Sequence, residues 1–319
     1  MKTKTIVLAF LAVTAGVFGY TRLHNGIPSD LRDAVADNRE FNTSIPVLEK
    51  DSGNLPEPKA VAVEGFAKGY VSGTGGPSRP VEWVAINGGK FTMGISEVFK
   101  NAMPSHEVVI KTFDMSKTAV TVEQYKECFL AGQCTAPGTG DFCNWDKGGR
   151  QFHPVNCVDW NQANQYARFK GARLPSESEW EYAATSGGKN PEYPWGNDEP
   201  ACDKAVMYGN GGYGCGKNGT LPVLSKDGKE CSRKAGQTKQ GLCDMSGNVW
   251  QWVQDKYQNS YTGVPADGRA VEGGAGSYRV IRGGSFNVKD FGSVRADVRV
   301  ANDPGSRIPD VGFRVAMSR

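Results

Sequence analysis

Eight cysteines, Cys128, Cys134, Cys143, Cys157, Cys202, Cys215, Cys231 and Cys243, crowd into one central segment of a 319-residue chain, and their number is even. None of them forms a Cys-x-x-Cys pair, and His24, His106 and His153 do not stand at zinc-ligand spacing from them. The pattern predicts disulfides and therefore an oxidising compartment, with about a hundred connectivities open. A fold stapled in its middle need not rest on long ladders. The 41 glycines agree, since they suit a loop-rich chain that turns often at positive φ.

The first residues carry the export signal that such thiols require. "MKTKTIVLAFLAVTAGVFGYTRLHNG" has two lysines, then an apolar run from Ile6 to about Tyr20, then polar sequence. It is read as a signal peptide over 1–20, because the run is shorter than the roughly 20 residues of a spanning helix. Membrane association is expected only through that leader if it stays uncleaved. From 21 to 80 the chain is polar and rich in Pro, Gly and Ser, without a sustained period, and is expected to be an arm or linker. A single domain over 81–319 follows. The predicted address is the periplasm, the cell envelope or the exterior.

Within 81–319 the signals are mixed. "PSHEVVIKTFDMSKTAV" alternates Val108, Ile110, Phe113 and Met115 with polar residues, as strands do. "TVEQYKECFLAG", opened by Thr121, and "VDWNQANQYARFKGA", stopped by Gly171, have helical spacing. "LPSESEWEYAATSGG" adds a third helix, with Glu179 three residues after Ser176. Its Trp180, Tyr182 and Ala183 should face the core, with Arg173 paired to Glu179 or Glu181. After Gly187 glycine-punctuated loops and short strands dominate. The net charge is +3, from 37 basic and 34 acidic side chains, which lacks the concentrated positive field that nucleic acid requires.

Seven stretches in order, "GGKFTMG", "PSHEVVIKTFDMSKTAVTVEQY", "PVNCVDWNQANQYARFKGARLPSESEWEYAA", "YPWGN", "GLCDMSGNVWQW", "VIRGGSF" and "VGFRVA", resemble signature stretches of the formylglycine-generating enzyme, or sulfatase-modifying factor, family. The resemblance runs from about Val81 to Arg319. It implies an α+β, loop-rich fold related to C-type lectins, low in regular secondary structure and here disulfide-linked.

Members that make formylglycine carry two copper-binding cysteines shortly after "RGGS". Counting from Ser285, Val288 and Ser293 stand in their places, and neither replaces a thiolate. The resemblance thus implies the fold while arguing against copper and sulfatase activation. The iron-dependent branch of ergothioneine type needs more histidines than the three present. A branch that resembles pyoverdine-maturing proteins works without the cysteine pair and would need carboxylate or tyrosine acid/base groups, for which Asp290, Asp297, Asp303 and Asp310 are candidates. Their plainer role is to cap turns and pair with arginine. "RGGSF" is no Gly-x-Ser-x-Gly nucleophile elbow.

The resemblance also implies a structural Ca²⁺ site, whose positions here are Asp244, Gly247, Val249 and Gln251, with Gln251 where the family has a glutamate. No haem, flavin or nucleotide site is expected. Between "RGGS" and "GFRVA" the residues Asn287, Lys289, Asp290, Phe291, Asp297, Asn302, Asp303 and Ile308 are expected at the surface as a ligand-binding set, near a crevice by Trp250 and Trp252. Arg295, Arg299, Arg307 and Arg314 are expected to bridge loops, at least two of them inside the fold. The leading expectation is a binding protein of the cell envelope that takes a protein, glycan or small-molecule ligand. The alternatives are a cysteine-independent periplasmic enzyme, an oxidoreductase or tautomerase, and a ligand-binding protein diversified by a retroelement.

Overall fold

The computed structural model describes residues 78–94, 99–189, 192–224 and 228–319. The expected leader, and the expected arm up to residue 77, lie outside them. Nine short strands appear among the described residues: β1 (Trp83–Ile86), β2 (Gly89–Met93), β3 (His106–Ile110), β4 (Phe113–Ser116), β5 (Trp250–Lys256), β6 (Arg279–Arg282), β7 (Arg299–Asn302), β8 (Val311–Phe313) and β9 (Ala316–Ser318). They form a sheet β1-β4-β9, a hairpin β2-β3 and a sheet β7-β6-β5-β8. Strand β9 pairs antiparallel with β4, Phe113 facing Ser318. Strand β8 runs parallel to β5, Trp250 facing Val311.

Three helices, α1 (Val122–Leu130), α2 (Trp160–Phe169) and α3 (Glu177–Ala184), are each opened by a capping box. Thr121, Asp159 and Ser176 accept from the backbone three residues on, and Gln124, Gln162 and Glu179 reach back to the cap. Each box ties down donors that an initial helical turn leaves unpaired. Gly171 follows α2 at φ +63°, a left-handed stop. Helix α3 is buried on every side. Trp180 on α3 and Trp252 on β5 are both wholly buried in the core. Losing either to Ala would cost about 3–5 kcal/mol.

The eight cysteines pair with their neighbours along the chain: Cys128–Cys134, Cys143–Cys157, Cys202–Cys215 and Cys231–Cys243. All four staples lie in the segment between β4 and β5 and its immediate flank, where no strand is found among the described residues.

Side chains do the work of the missing ladders. Arg299 bonds both oxygens of Glu177 at 2.7 Å and the backbone oxygens of Asn101 and Gln258. Arg282 pairs with Glu181, lies 3.1 Å from Glu177, and donates to the backbone of Ala296 and Val298. Asp255 accepts from the backbone N–H of Glu177 at 2.6 Å, at the amino end of α3. Arg314 donates to the backbone oxygens of Ser116 and Cys243 and to Gln251 Oε1. Arg282, Arg299 and Arg314 are all fully buried, so three tail arginines knit the two larger sheets to α3. The Arg173 pair falls on Glu179.

Candidate functional site

The tail surface begins at the Gly283-Gly284 reversal after β6. Both glycines have positive φ, and a Cβ on Gly283 would lie 2.8 Å from the Met245 carbonyl, one on Gly284 2.7 Å from Val294. Glycine is required there because the turn presses against the core. Val288 then packs, half-buried, on a small cluster with Tyr193, Met207, Trp195 and Val294. Its carbonyl accepts from Tyr208 N–H at 3.0 Å. Ser293 is buried and its N–H donates to the Asp290 carbonyl. Thus one position that could hold a copper thiolate is a packed apolar group and the other a buried hydroxyl. All eight cysteines are oxidised in disulfides, so the chain has no thiolate to offer Cu(I). The residues present do not fit that metal.

The expected ligand set divides. Lys289, Asp290, Phe291 and Asp303 are exposed, Phe291 by 46%. Lys289 Nζ lies 5.2 Å from the centre of the Tyr208 ring, a cation–π contact. Asp290 accepts from Gly292 N–H at 3.0 Å, and Asp303 from Gly305 N–H at 2.8 Å, so both cap turns. Asn287, Asn302 and Ile308 are half-buried. Asn287 links inward: Ser285 Oγ donates to its Oδ1 at 2.6 Å and its amide donates to Asp310. Burial pushes the Asp310 carboxyl above its ordinary value. Asp297 does not belong to the surface. It is 5% exposed and held by Arg295 Nε at 3.0 Å, because a carboxylate facing the interior needs that charge partner.

Nor do Trp250 and Trp252 border a crevice. Both are buried, and the Trp252 indole donates to the Val158 carbonyl. The rings beside the tail come from elsewhere: half-buried Phe142 and Tyr213 pack on Phe286, and half-buried Tyr208 packs on Tyr213. Tyr208 and Tyr213 sit in the loop closed by Cys202–Cys215, which docks on the tail through Tyr208 N–H and Gly214 N–H. The run "YGNGGYGCG" carried that signal, since two tyrosines in a glycine-punctuated, cysteine-closed loop have little reason to be core. Phe142 is held at φ +60°, an outlier for a bulky residue.

The calcium positions do not form a cation cage. Gln251 Oε1 already accepts from the Trp180 indole at 2.9 Å and from Arg314 Nε at 2.7 Å, and its amide donates to the Asp244 carbonyl. The Gly247 carbonyl accepts from Val249 N–H. Asp244 accepts from Asn248, and burial pushes its carboxyl up to about 6. Arg314 and Trp180 thus already take the Gln251 oxygen that the fourth position would offer, and the residues present do not fit Ca²⁺.

A family model described as "Sulfatase-modifying factor enzyme 1-like domain" matches residues 74–319. The chain is 34% identical over 176 residues to the formylglycine-generating enzyme of Streptomyces coelicolor, covering 53% of this chain and 54% of that one. It is 35% identical over 173 residues to the inactive C-alpha-formylglycine-generating enzyme 2 of Mus musculus, covering 52% and 49%. The chain thus spans about half the length of these curated relatives. Among solved structures, PvdO from Pseudomonas aeruginosa superposes with a TM-score of 0.61 at 28% identity, over 74% of this chain and 94% of that one. With the match running through the strands, the helices and the glycine reversal alike, the chain belongs to the sulfatase-modifying factor enzyme 1-like family.

Proposed function

We propose that this protein is an exported member of its family that does not oxidise cysteine and acts by holding a ligand on the surface of the 287–308 segment, at the cell envelope. One observation carries the reading: Val288 and Ser293 occupy the two thiolate positions while every cysteine is in a disulfide. The similarity to a mammalian paralogue whose name calls it inactive supports the first half. Four disulfides and the leader support export. The exposed Lys289, Phe291 and Asp303, on loops braced by a rigid scaffold, support the second half.

Two measurements test it. Mature protein supplied with Cu(I), oxygen and a cysteine-containing sulfatase peptide should form no aldehyde, and aldehyde formation would refute the first half. Retention on isolated cell envelopes should fall several-fold in Lys289→Ala/Phe291→Ala/Asp303→Ala. Equal retention would remove this surface as the binding face. A second reading, a cysteine-independent enzyme, draws on the raised Asp310 carboxyl beside Asn287 and Ser285. Loss of a turnover by Asp310→Asn with envelope retention intact would favour it.

A further inference from the structure

A second concavity lies away from the tail surface, and none of the residues lining it falls within 285–311. It is about 460 Å³, within the range of small-molecule sites. Its floor is apolar, from Ile110, Phe113 and Leu174. Its walls carry Lys111, Arg173, Arg269 and Arg319 against Glu179 and Asp267, four positive side chains to two negative ones.

The commitments of those six decide what the cavity lacks. Arg173 is spent: it makes a two-pronged pair with Glu179 at 2.6 and 2.7 Å, and its Nε donates to Ser318. Arg319 is clamped on Asp114, which stands outside the lining, at 2.7 and 2.8 Å, leaving one terminal nitrogen. Arg269 reaches Asp267 only at 3.6 Å, with both side chains mostly exposed. Lys111 has no carboxylate partner among the described residues. An incoming negative charge would therefore meet two cations with little else to satisfy them.

The wall bearing Arg269 is fixed in place. Gly268, at φ +76°, lets its loop press on β3, where a Cβ would come 2.8 Å from Ile110 Cδ1. The Ala266 carbonyl accepts from Val109 N–H at 2.8 Å, and the Gly268 carbonyl from the buried Ser176 hydroxyl at 2.6 Å. Beside that loop, the Lys111 turn is held by the Thr112 hydroxyl, which accepts from Gly88 N–H at 3.0 Å. One cation without a carboxylate partner, Lys111, and one loosely paired, Arg269, are thus presented from two pinned turns over an apolar floor, an arrangement that favours an oxyanion on a compact polar molecule.

We infer that this cavity is a binding site for a small oxyanion-bearing molecule, held by Lys111 and Arg269. Calorimetric titration at fixed ionic strength, with inorganic pyrophosphate as the phosphate probe and citrate as the carboxylate probe, tests it. The full chain should bind at least one probe one-to-one, and the preferred probe names the oxyanion. Lys111→Ala/Arg269→Ala removes two exposed side chains, so its melting temperature should be unchanged. Its affinity should fall tenfold or more, about the loss expected for a charge-assisted contact. No binding of either probe by the native chain, or equal binding by the double variant, would overturn the assignment. Envelope retention of the same variant, unchanged, would separate this site from the tail surface.

Discussion

Glu177→Gln is the substitution that most directly tests how this fold is held together. Glu177 is 2% exposed and accepts from Arg299 through both of its oxygens and from Tyr261, with Arg282 at 3.1 Å. The amide has the same shape, so nothing is lost in packing. What goes is the charge between two buried guanidiniums, and an amide nitrogen is turned toward donors. Removing one partner of a buried pair costs about 3–5 kcal/mol, because the remaining charge stays in a medium that cannot solvate it. At roughly 2–4 °C per kcal/mol for a domain of this size, the melting temperature should drop by about 6–20 °C. The control is Glu107→Gln, whose pair with Lys90 is more than half exposed on both sides and should be worth under about 1 kcal/mol. Both variants would be followed by scanning calorimetry with the disulfides intact. If Glu177→Gln cost no more than the control, the claim that arginines replace ladders here would be wrong.

Three further expectations concern the same interior and the staples. Burial, with the Glu177 charge beside it, pushes the Asp255 carboxyl from 3.8 up to about 7. The folded state therefore holds a proton that the unfolded state releases, so this residue's contribution to stability declines by about 4 kcal/mol as pH rises from about 4 to about 7. Asp255→Asn should flatten the measured stability curve in that window, and an unchanged slope would contradict the assignment. Chelator should leave the melting temperature unchanged, because Gln251 is engaged by Trp180 and Arg314; a drop restored by Ca²⁺ would show that the cage forms after all. Opening Cys143–Cys157 with a double Cys→Ser variant should cost about 3 kcal/mol by denaturant titration, from the entropy of a loop of that length. A loss below about 1 kcal/mol would mean that the segment is held by its side chains instead.

Much of the architecture could be read from local chemistry. Thr121, Asp159 and Ser176 each stand three residues before a glutamine or glutamate, and all three open helices. Alternation placed β3 and β4, and the motif order carried the family. The buried bridging by Arg299 and Arg314 was expected too, but which other side chains turn inward was not legible locally. Nothing local distinguishes Asp297, folded onto Arg295, from Asp290 or Asp303, which cap exposed turns. Trp250 and Trp252 look like lining and are core, because β5 packs on both faces over Trp250–Val253. The cavity at Lys111 and Arg269 joins residues about 160 positions apart, through a glycine whose role appears only against β3.

Strand β9 lies against β4, and β1 flanks β4 on its other side, so a sheet begun at residue 83 is finished at residue 318. The disulfides span only 6 to 14 positions and can close as their segment appears. A chain emerging amino end first would therefore be stapled in its middle while the sheet begun by β1 and β4 was still waiting for β9, about 200 residues away. Such distant pairing makes for slow completion, since loop closure must precede the contacts that stabilise it. Until residues 311–318 arrive, β4 and β5 each present an open edge, and the interval in which these edges are open to mispairing is set by the delivery of that segment.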